Sequence, residues 1–580
     1  MIQFDKVTLS FAGHPLFEDV SFTLQKGERC ALVGRNGSGK STIFKLIDGE
    51  LIADRGAIAV PKGYRTGVLQ QHIRFSKPTL IEEAALGLPP GEEELVYKAE
   101  KILFGLGFTK EDLDRPTSDF SGGFQLRLHL AKVLVSEPDC LLLDEPTNYL
   151  DILSIRWLSQ FLSKWKGEFI LISHDREFLD SVSTHTMGIH RGKVKKFKGG
   201  TIAYYEQIVL EEEVQEKTRI KFGKKRAHAE KFIERFGATA SKAKQAQSRV
   251  KMLEREPALE RLNQIASLSF SFHEAPFPGK KMLEAQNLTF SYTTEPLIQD
   301  VSLSIEKGKR IAIIGKNGRG KSTLLRLLAG DLNPQSGALS ASDNMRTCYF
   351  GQTHIERLKE SHTIEQELSL SNPLLSFTEV KGIAGTMMFS GDLSLKKIGL
   401  LSGGEKSRVL LGKILAKPCN LLLLDEPTHH LDIESVEALI DALEDFEGSV
   451  VLVTHSELIL RRLVPDQLVL CGPDKQTVFL GNYDEFLEKM GWEEEEKKSP
   501  PPKSAPPPPK HRPPSLKKIH DCEAKISSLE QAQKKDLDQL QRGDRVQEVS
   551  KTIGARQKII DALFLELERL YAEYEIQKKS

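Results

Sequence analysis

Cysteine is scarce, with six in 580 residues at positions 30, 140, 348, 419, 471 and 522, and no two of them stand as CxxC or at metal-ligand spacing. That excludes a disulfide framework and a cysteine-held zinc, and it points to a reducing compartment. Cys30 and Cys140 sit in apolar runs, where a free thiol behaves as a small hydrophobe. No apolar stretch approaches the roughly 20 residues of a membrane-spanning helix. The first residues, Met1 to Phe11, alternate like a strand and lack the basic-then-apolar pattern of a leader. The expectation is a cytoplasmic protein with no membrane segment. Charge of one sign is also lacking: 81 basic residues face 81 acidic ones. No global field draws the chain to nucleic acid or lipid, so any such attraction must be local. Composition is otherwise ordinary, and the length suggests about three or four domains at roughly 150 residues each.

What is present is a duplication. GRNGSGKST begins at Gly34 and GKNGRGKST at Gly315, an offset of 281 positions. SGG at Ser121 recurs at Ser402, LLLDEPT recurs with Asp144 and Asp425, and a histidine after a β-rich run recurs at His174 and His455, all at that same offset. Each copy opens with alternating strands, Ile2–Phe11 and Met282–Tyr292. Short apolar strands alternating with helices follow, which predicts an α/β fold with a mainly parallel sheet. The copies are placed at 1–200 and 282–490. A charged segment of helical composition, 201–281, separates them. A Glu/Pro-rich tether, 491–515, carries nine prolines between Pro500 and Pro514, and such a run makes a spacer without a core. Residues 516–580 regain helical periodicity.

The repeated motifs carry phosphate chemistry. GxxxxGK[ST] lies between an apolar strand (Cys30–Val33, Ile311–Ile314) and a helical pattern, the context a P-loop requires. The backbone at Gly34, Asn36, Gly37 and Gly39, and at Gly315, Asn317, Gly318 and Gly320, would converge on phosphates at a helix N-terminus, flanked by Thr42 and Thr323. Lys40 and Lys321 would reach the β- and γ-phosphates, and Ser41 and Ser322 would each offer a hydroxyl to Mg²⁺. Asp144 and Asp425 end leucine-rich strands where a carboxylate can hold that metal. Glu145 and Glu426, next along, can orient the attacking water. The plainer reading of these acids is a cap on the following helix. His174 and His455 are positioned to contact the γ-phosphate.

These residues resemble the ATP-binding-cassette superfamily: paired P-loops, Gln71 and Gln352, SGG signatures, DEPT followed by LD, and the histidines. The resemblance implies that two cassettes face head to tail and sandwich each ATP between one P-loop and the other's signature. One site would then combine Lys40, Ser41, Gln71, Glu145 and His174 with Ser402, Gly403 and Gly404. The other would combine Lys321, Ser322, Gln352, Glu426 and His455 with Ser121, Gly122 and Gly123. Gln71 and Gln352 join the Mg²⁺ set by the same resemblance. There are departures: Phe124 follows the first signature where transporters usually have Gln, and Arg319 occupies a P-loop position that is usually small. An aromatic that stacks on adenine is expected near the start of each cassette; Tyr292 is preferred over Phe11, the first copy being shorter there.

Two fused cassettes without a membrane segment, joined by about 80 charged residues, resemble the ABC-F family. The stretch from Phe232 to Arg255 looks like its interdomain motif. Lys217–Arg255 holds 13 Lys/Arg against three Glu. A hairpin of two helices turning near Gly237–Ser241, the first from about Thr201 to Phe236, would present Lys242, Lys244 and Arg249 to a phosphate-rich groove; a solvated helical spacer is the alternative. The resemblance implies a ribosome and tRNA as partners. The tail, with apolar positions at three-and-four spacing on either side of Arg542–Asp544, reads as an antiparallel coiled-coil hairpin. Tether and hairpin together look like the Uup-type branch, associated with DNA as well as ribosomes. With 13 basic and 12 acidic residues over 516–580, this tail is as suited to protein contact as to nucleic acid. A third reading, the energising subunit of a transporter, gains nothing from the basic linker.

Overall fold

The computed structural model describes residues 1–11, 14–69, 75–92, 94–212, 214, 216, 219–220, 271–293, 295–351, 355, 357–389, 391–428, 431–472 and 475–492. By internal contacts the chain divides into two units, Met1–Gly491 and Trp492–Ser580. Of the interdomain hairpin, residues 221–255, with Lys242, Lys244 and Arg249, lie outside the described residues, as do the 516–580 hairpin, Gln71 and Gln352.

The first cassette runs through β1 (Ile2–Phe11), β2 (His14–Leu24), β3 (Arg29–Val33), α1 (Lys40–Asp48), β4 (Arg55–Ala59), β5 (Thr66–Val68), α2 (Leu80–Ala85), α3 (Val96–Gly105) and α4 (Gly122–Val135). It continues through β6 (Cys140–Asp144), α5 (Ile152–Ser163), β7 (Glu168–Ile172), α6 (Arg176–Val182), β8 (His185–His190) and β9 (Lys193–Lys198). The second repeats this order: β10 (Lys281–Phe290), β11 (Ile298–Glu306), β12 (Arg310–Gly315), α7 (Lys321–Leu328), β13 (Ser336–Ala341), β14 (Thr347–Phe350), α8 (Ile364–Ser371), α9 (Phe377–Thr386) and α10 (Gly403–Leu415). It closes with β15 (Leu421–Asp425), α11 (Ile433–Asp445), β16 (Ser449–Val453), α12 (Glu457–Leu463), β17 (Gln467–Cys471), β18 (Gln476–Leu480) and α13 (Tyr483–Lys489).

Each cassette has a six-stranded sheet, ordered β5-β6-β7-β3-β8-β9 and β14-β15-β16-β12-β17-β18. All neighbours are parallel except the edge pairs β8/β9 and β17/β18. A small antiparallel sheet stands beside each, β2-β1-β4 and β11-β10-β13. The apolar runs form central strands because both faces are covered. Leu141 and Leu143 join the core under the helices, while Cys140 and Leu142 join the core against the small sheet. Leu422 and Leu424 divide from Leu421 and Leu423 in the same way. A strand with period-two side chains and two dry faces needs an unbroken apolar run, and each buried leucine contributes about 1.5–3 kcal/mol.

Two boundaries differ from expectation. Strand β10 ends at Phe290, so Tyr292 lies in the loop beyond it. The segment between the repeats is also engaged at both ends. Residues 201–212 are helical, with Tyr204 buried in the first cassette's core. From residue 271 the chain already packs on the second cassette, where Phe272 and Phe277 are buried in its two cores.

Candidate functional site: two nucleotide sites across the cassette interface

The P-loops are shaped by glycine. Gly39 and Gly320 sit immediately before α1 and α7 in the left-handed region (φ 100° and 80°), a conformation costly for any residue with a Cβ. A Cβ would also meet Phe17 at 2.6 Å or Ile298 at 2.8 Å. The Lys40 ammonium donates to the carbonyls of Gly34 (2.7 Å) and Arg35 (3.1 Å), and Lys321 to those of Gly315 (3.0 Å) and Lys316 (2.9 Å). Burial lowers the pKa of both lysines, opposed by Glu145 and Glu426 foremost among the nearby carboxylates.

Ser41 Oγ donates to Asp144 at 2.7 Å, and Ser322 Oγ to Asp425 at 3.1 Å. A hydroxyl and a carboxylate side by side are hard oxygen donors of the kind Mg²⁺ takes, so these residues fit that ion. Burial raises the pKa of both aspartates. Glu145 and Glu426 follow in the left-handed backbone region, at φ 51° and 47°. For non-glycine residues such conformations cluster at functional sites. Each turns its carboxylate to its histidine, with Oε1 at 3.1 Å from His174 Nε2 and at 3.3 Å from His455 Nε2. Burial pushes both glutamates up to about 8; the charges of Asp144 and Asp425 push the same way, and Lys40 and Lys321 oppose them.

The cassettes meet at these sites. A cavity of about 530 Å³ is lined on one side by Asn317, Lys321, Ser322, Asp425, Glu426 and His455, and on the other by Ser121, Gly123, Phe124 and Tyr149 of the first cassette. The second P-loop thus shares a chamber with the first signature. Contacts also cross at both P-loops: the backbone N–H of Asn36 donates to Asp432 at 3.2 Å, that of Asn317 to Asp151 at 3.4 Å, and the Asn317 amide to the Tyr149 carbonyl at 2.7 Å. Asp151 and Asp432 cap their own helices with the other carboxylate oxygen, accepting from Ser154 N and Ser435 N at 3.0 Å. Each therefore ties a helix start to the opposite P-loop. Sequence reasoning noted the LD after DEPT without giving these aspartates a role; their position 281 residues apart was the available signal.

The signatures are unequal. Ser402 opens α10 with a capping box closed by Glu405. Phe124 stands where Glu405 would be, so Ser121 makes no such cap. Phe124 instead packs edge-on against Phe108 (5.5 Å) and beneath the guanidinium of Arg127 (4.6 Å). Gly122, Gly403 and Gly404 lie in the first turns of α4 and α10, and Thr42 and Thr323 in those of α1 and α7. Phe11 and Tyr292 are both exposed and outside the chamber lining. They are equivalent positions: the offset of 281 holds through Phe17 and Ile298 next to the P-loops, so the first copy is not shorter there. Tyr292 accepts from Arg326 of α7 at 3.3 Å.

Comparison with known proteins agrees with this architecture. A family model described as ABC transporter matches residues 17–148 and 298–429, and a second with the same description matches 187–272. The chain is 34% identical over 532 residues to "Putative ATP-binding protein YdiF" of Bacillus subtilis, covering 84% of this chain and 83% of that protein. It is 33% identical over 520 residues to "Probable ATP-binding protein YheS" of Escherichia coli, at 84% and 81%. It is 32% identical over 525 residues to "ATP-binding cassette sub-family F member 3" of Mus musculus, at 84% and 73%. Among solved structures, "RNase-L Inhibitor" matches with a TM-score of 0.56 at 20% identity, covering 84% of this chain and 93% of that one. "Model of ribosome-bound archaeal Pelota and ABCE1" matches at 0.56 and 20%, covering 83% and 80%. Fold and site define a tandem ATP-binding-cassette ATPase. Among the described residues no helix is long and apolar enough to cross a membrane. Within that class, the chain belongs to the ABC-F family.

Proposed function

We propose that this ATPase is a cytoplasmic translation factor that engages the ribosome, and tRNA on it, while ATP holds its cassettes together. The carrying observation is the shared chamber: with Lys321 on one wall and Ser121 on the other, bound ATP acts as glue between cassettes. A clamp of this kind changes its grip with the nucleotide. The basic 217–255 segment supplies the surface for a phosphate-rich partner, and the ribosome-bound structural neighbour supports the choice of partner.

At each site Lys40 or Lys321 binds the terminal phosphates, and the opposing signature closes over them. Ser41 and Asp144 with Gln71, and Ser322 and Asp425 with Gln352, would hold Mg²⁺, which would supply neutralisation of phosphate charge. Glu145 or Glu426 orients water on the γ-phosphorus and takes its proton as the bond to the β–γ bridging oxygen breaks. His174 or His455 steadies that carboxylate from 3.1 or 3.3 Å.

The test is gradient sedimentation of the Glu145→Gln/Glu426→Gln double variant with ATP in cell extract. Movement with ribosomes, lost when Lys242, Lys244 and Arg249 are neutralised, supports the reading; a protein that stays at the top of the gradient sinks it. A second reading, an ATPase on branched or repair DNA of Uup type, is favoured by the proline-rich tether and periodic tail. It requires junction-DNA binding that disappears when residues 500–580 are removed.

A further inference from the structure

A further cavity shares no lining residue with either P-loop motif. About 1020 Å³ in volume, it lies where α3, the end of α5 and the entries to β6 and β7 converge on the first cassette. Its wall carries an aromatic ladder: Trp157 and Phe161 are stacked at 5.1 Å, and Phe161 and Trp165 follow at 5.9 Å. Tyr97 adds a further ring, and Lys26, Lys98, Lys101, Lys164 and Lys166 line the same space. The acids there are already engaged. Glu137 is paired with Lys98, Asp139 accepts the Arg65 backbone N–H, and Glu168 accepts from Gly27 and Tyr64. Among the described residues, Lys26, Lys101, Lys164 and Lys166 form no ion pair with an acid.

The duplication provides an internal control. Helices α3 and α9, and likewise the starts of α5 and α11, stand 281 residues apart. At the equivalent places the second cassette has Ala438 for Trp157, Ala442 for Phe161, Glu379 for Lys98, Asp445 for Lys164 and Glu447 for Lys166. The room for Trp157 is built in as well. A Cβ on Gly105 would lie 1.9 Å from its indole, and the second cassette has Thr386 opposite Ala438.

The second cassette's equivalent face is also covered by its own chain. Ala275 N–H donates to Cys419 O at 2.8 Å, Cys419 N–H to His273 O at 3.0 Å, and Phe272 packs edge-on to Phe446 at 5.7 Å. In the first cassette Pro138 replaces Cys419 and has no N–H to give, so a peptide strand cannot repeat this pairing. An open, ring-lined pocket with four rim lysines that have no ion pair among the described residues suits a planar base with phosphate attached. We propose that this pocket is a third nucleotide-recognition site, one that holds unpaired nucleotides of a single-stranded RNA segment, with bases on the aromatic ladder and phosphates on the lysines. It deepens the ribosome reading, on which the choice of RNA rests.

The experiment uses the full-length Glu145→Gln/Glu426→Gln chain saturated with ATP, so that the cassette sites are filled. The probe is a labelled oligouridylate of about ten nucleotides, within the span such grooves take, read by anisotropy and by quenching of tryptophan fluorescence. Replacing Lys101, Lys164 and Lys166 by Glu should weaken binding at least about tenfold and flatten the salt dependence by roughly two slope units. ATP turnover in the otherwise unaltered chain should stay the same. Trp157→Ala should weaken binding by about five- to hundredfold. These three lysines are surface side chains, so their variant tests the site even if Trp157→Ala fails to fold. Binding that is absent, or indifferent to the lysine changes, overturns the proposal. So does AMP binding as tightly as the strand, which would make this a free-nucleotide site, or displacement of the strand by an acidic peptide such as Trp-Glu-Glu-Glu-Glu. Lysine-dependent strand binding by a chain that fails to sediment with ribosomes would remove the ribosome reading and leave this one standing.

Discussion

Glu145 and Glu426 combine three costs at one residue: a left-handed backbone, a carboxylate removed from water, and an acidic neighbour. Such a residue costs the resting fold stability, a pattern that clusters at functional sites. Glu145→Gln with Glu426→Gln is expected to lower steady-state ATP hydrolysis by about 10²-fold or more while ATP binding persists; phosphate release against nucleotide binding checks this. The pKa shift gives a second expectation. With the folded value near 8 and the ordinary one near 4.5, the folded chain holds more protons than the unfolded chain between those limits, so stability falls as pH rises across them. Without nucleotide, the double variant should therefore melt higher than the parent at pH 8, and the gap should close towards pH 5. Thermal unfolding across that range decides it. The candidate phosphate-binding residues were legible because a P-loop fixes its residue types at fixed spacing. The backbone strain at Glu145 was not legible, because nothing in the residue type records φ. The double duty of Asp151 and Asp432 was hidden because one of each carboxylate's partners comes from the other cassette.

At the scale of elements, two helices can answer one packing problem in two ways. Gly105 on α3 and Trp157 on α5 are a small–large pair, and Thr386 and Ala438 fill the same positions with the sizes evened out. Gly105→Thr alone should cost about 1–3 kcal/mol by overpacking, because a Cβ would lie 1.9 Å from the indole. Combined with Trp157→Ala it should recover most of that loss, and a double-mutant cycle in chemical denaturation measures the coupling. Outright additivity of the two changes would show that the helices shift to accommodate the side chain. Element positions were largely legible from the leucine runs that form β6 and β15 and from the P-loops that open α1 and α7. The ends of the interdomain segment were not. Residues 271–277 read as charged linker, yet Phe272 stacks edge-on against Phe446 and Glu274 accepts the Glu447 N–H at 2.6 Å. A short stretch that docks through two aromatics carries no periodicity to find.

At the scale of the whole cassette pair, the repeat is symmetric in backbone and inverted in charge. Arg156 pairs with Glu457 at 2.5 Å, and Arg176 with Glu437 at 3.0 Å. Arg156 and Glu437 are equivalent positions, as are Arg176 and Glu457, each 281 residues apart. A first cassette facing a first cassette of another molecule would set Arg156 against Arg176, and two second cassettes would set Glu437 against Glu457. Only the first-with-second pairing joins opposite charges, so these side chains select partner as well as strengthen contact. The pairs are only partly exposed, which leaves them less screened than a surface pair. Arg156→Glu should therefore disfavour ATP-driven closure by about 1–2 kcal/mol, raising the ATP concentration for half-closure by roughly tenfold. Arg156→Glu with Glu457→Arg restores opposite charges across the interface and should return closure towards the parent value. Glu457→Arg also faces Arg461, which lies 3.1 Å from Glu457 in the parent chain, so recovery should be incomplete. Distance measurements between labels on the two cassettes, at low and high salt, read both effects; equal ATP dependence in all three proteins would show that these pairs do not govern closure.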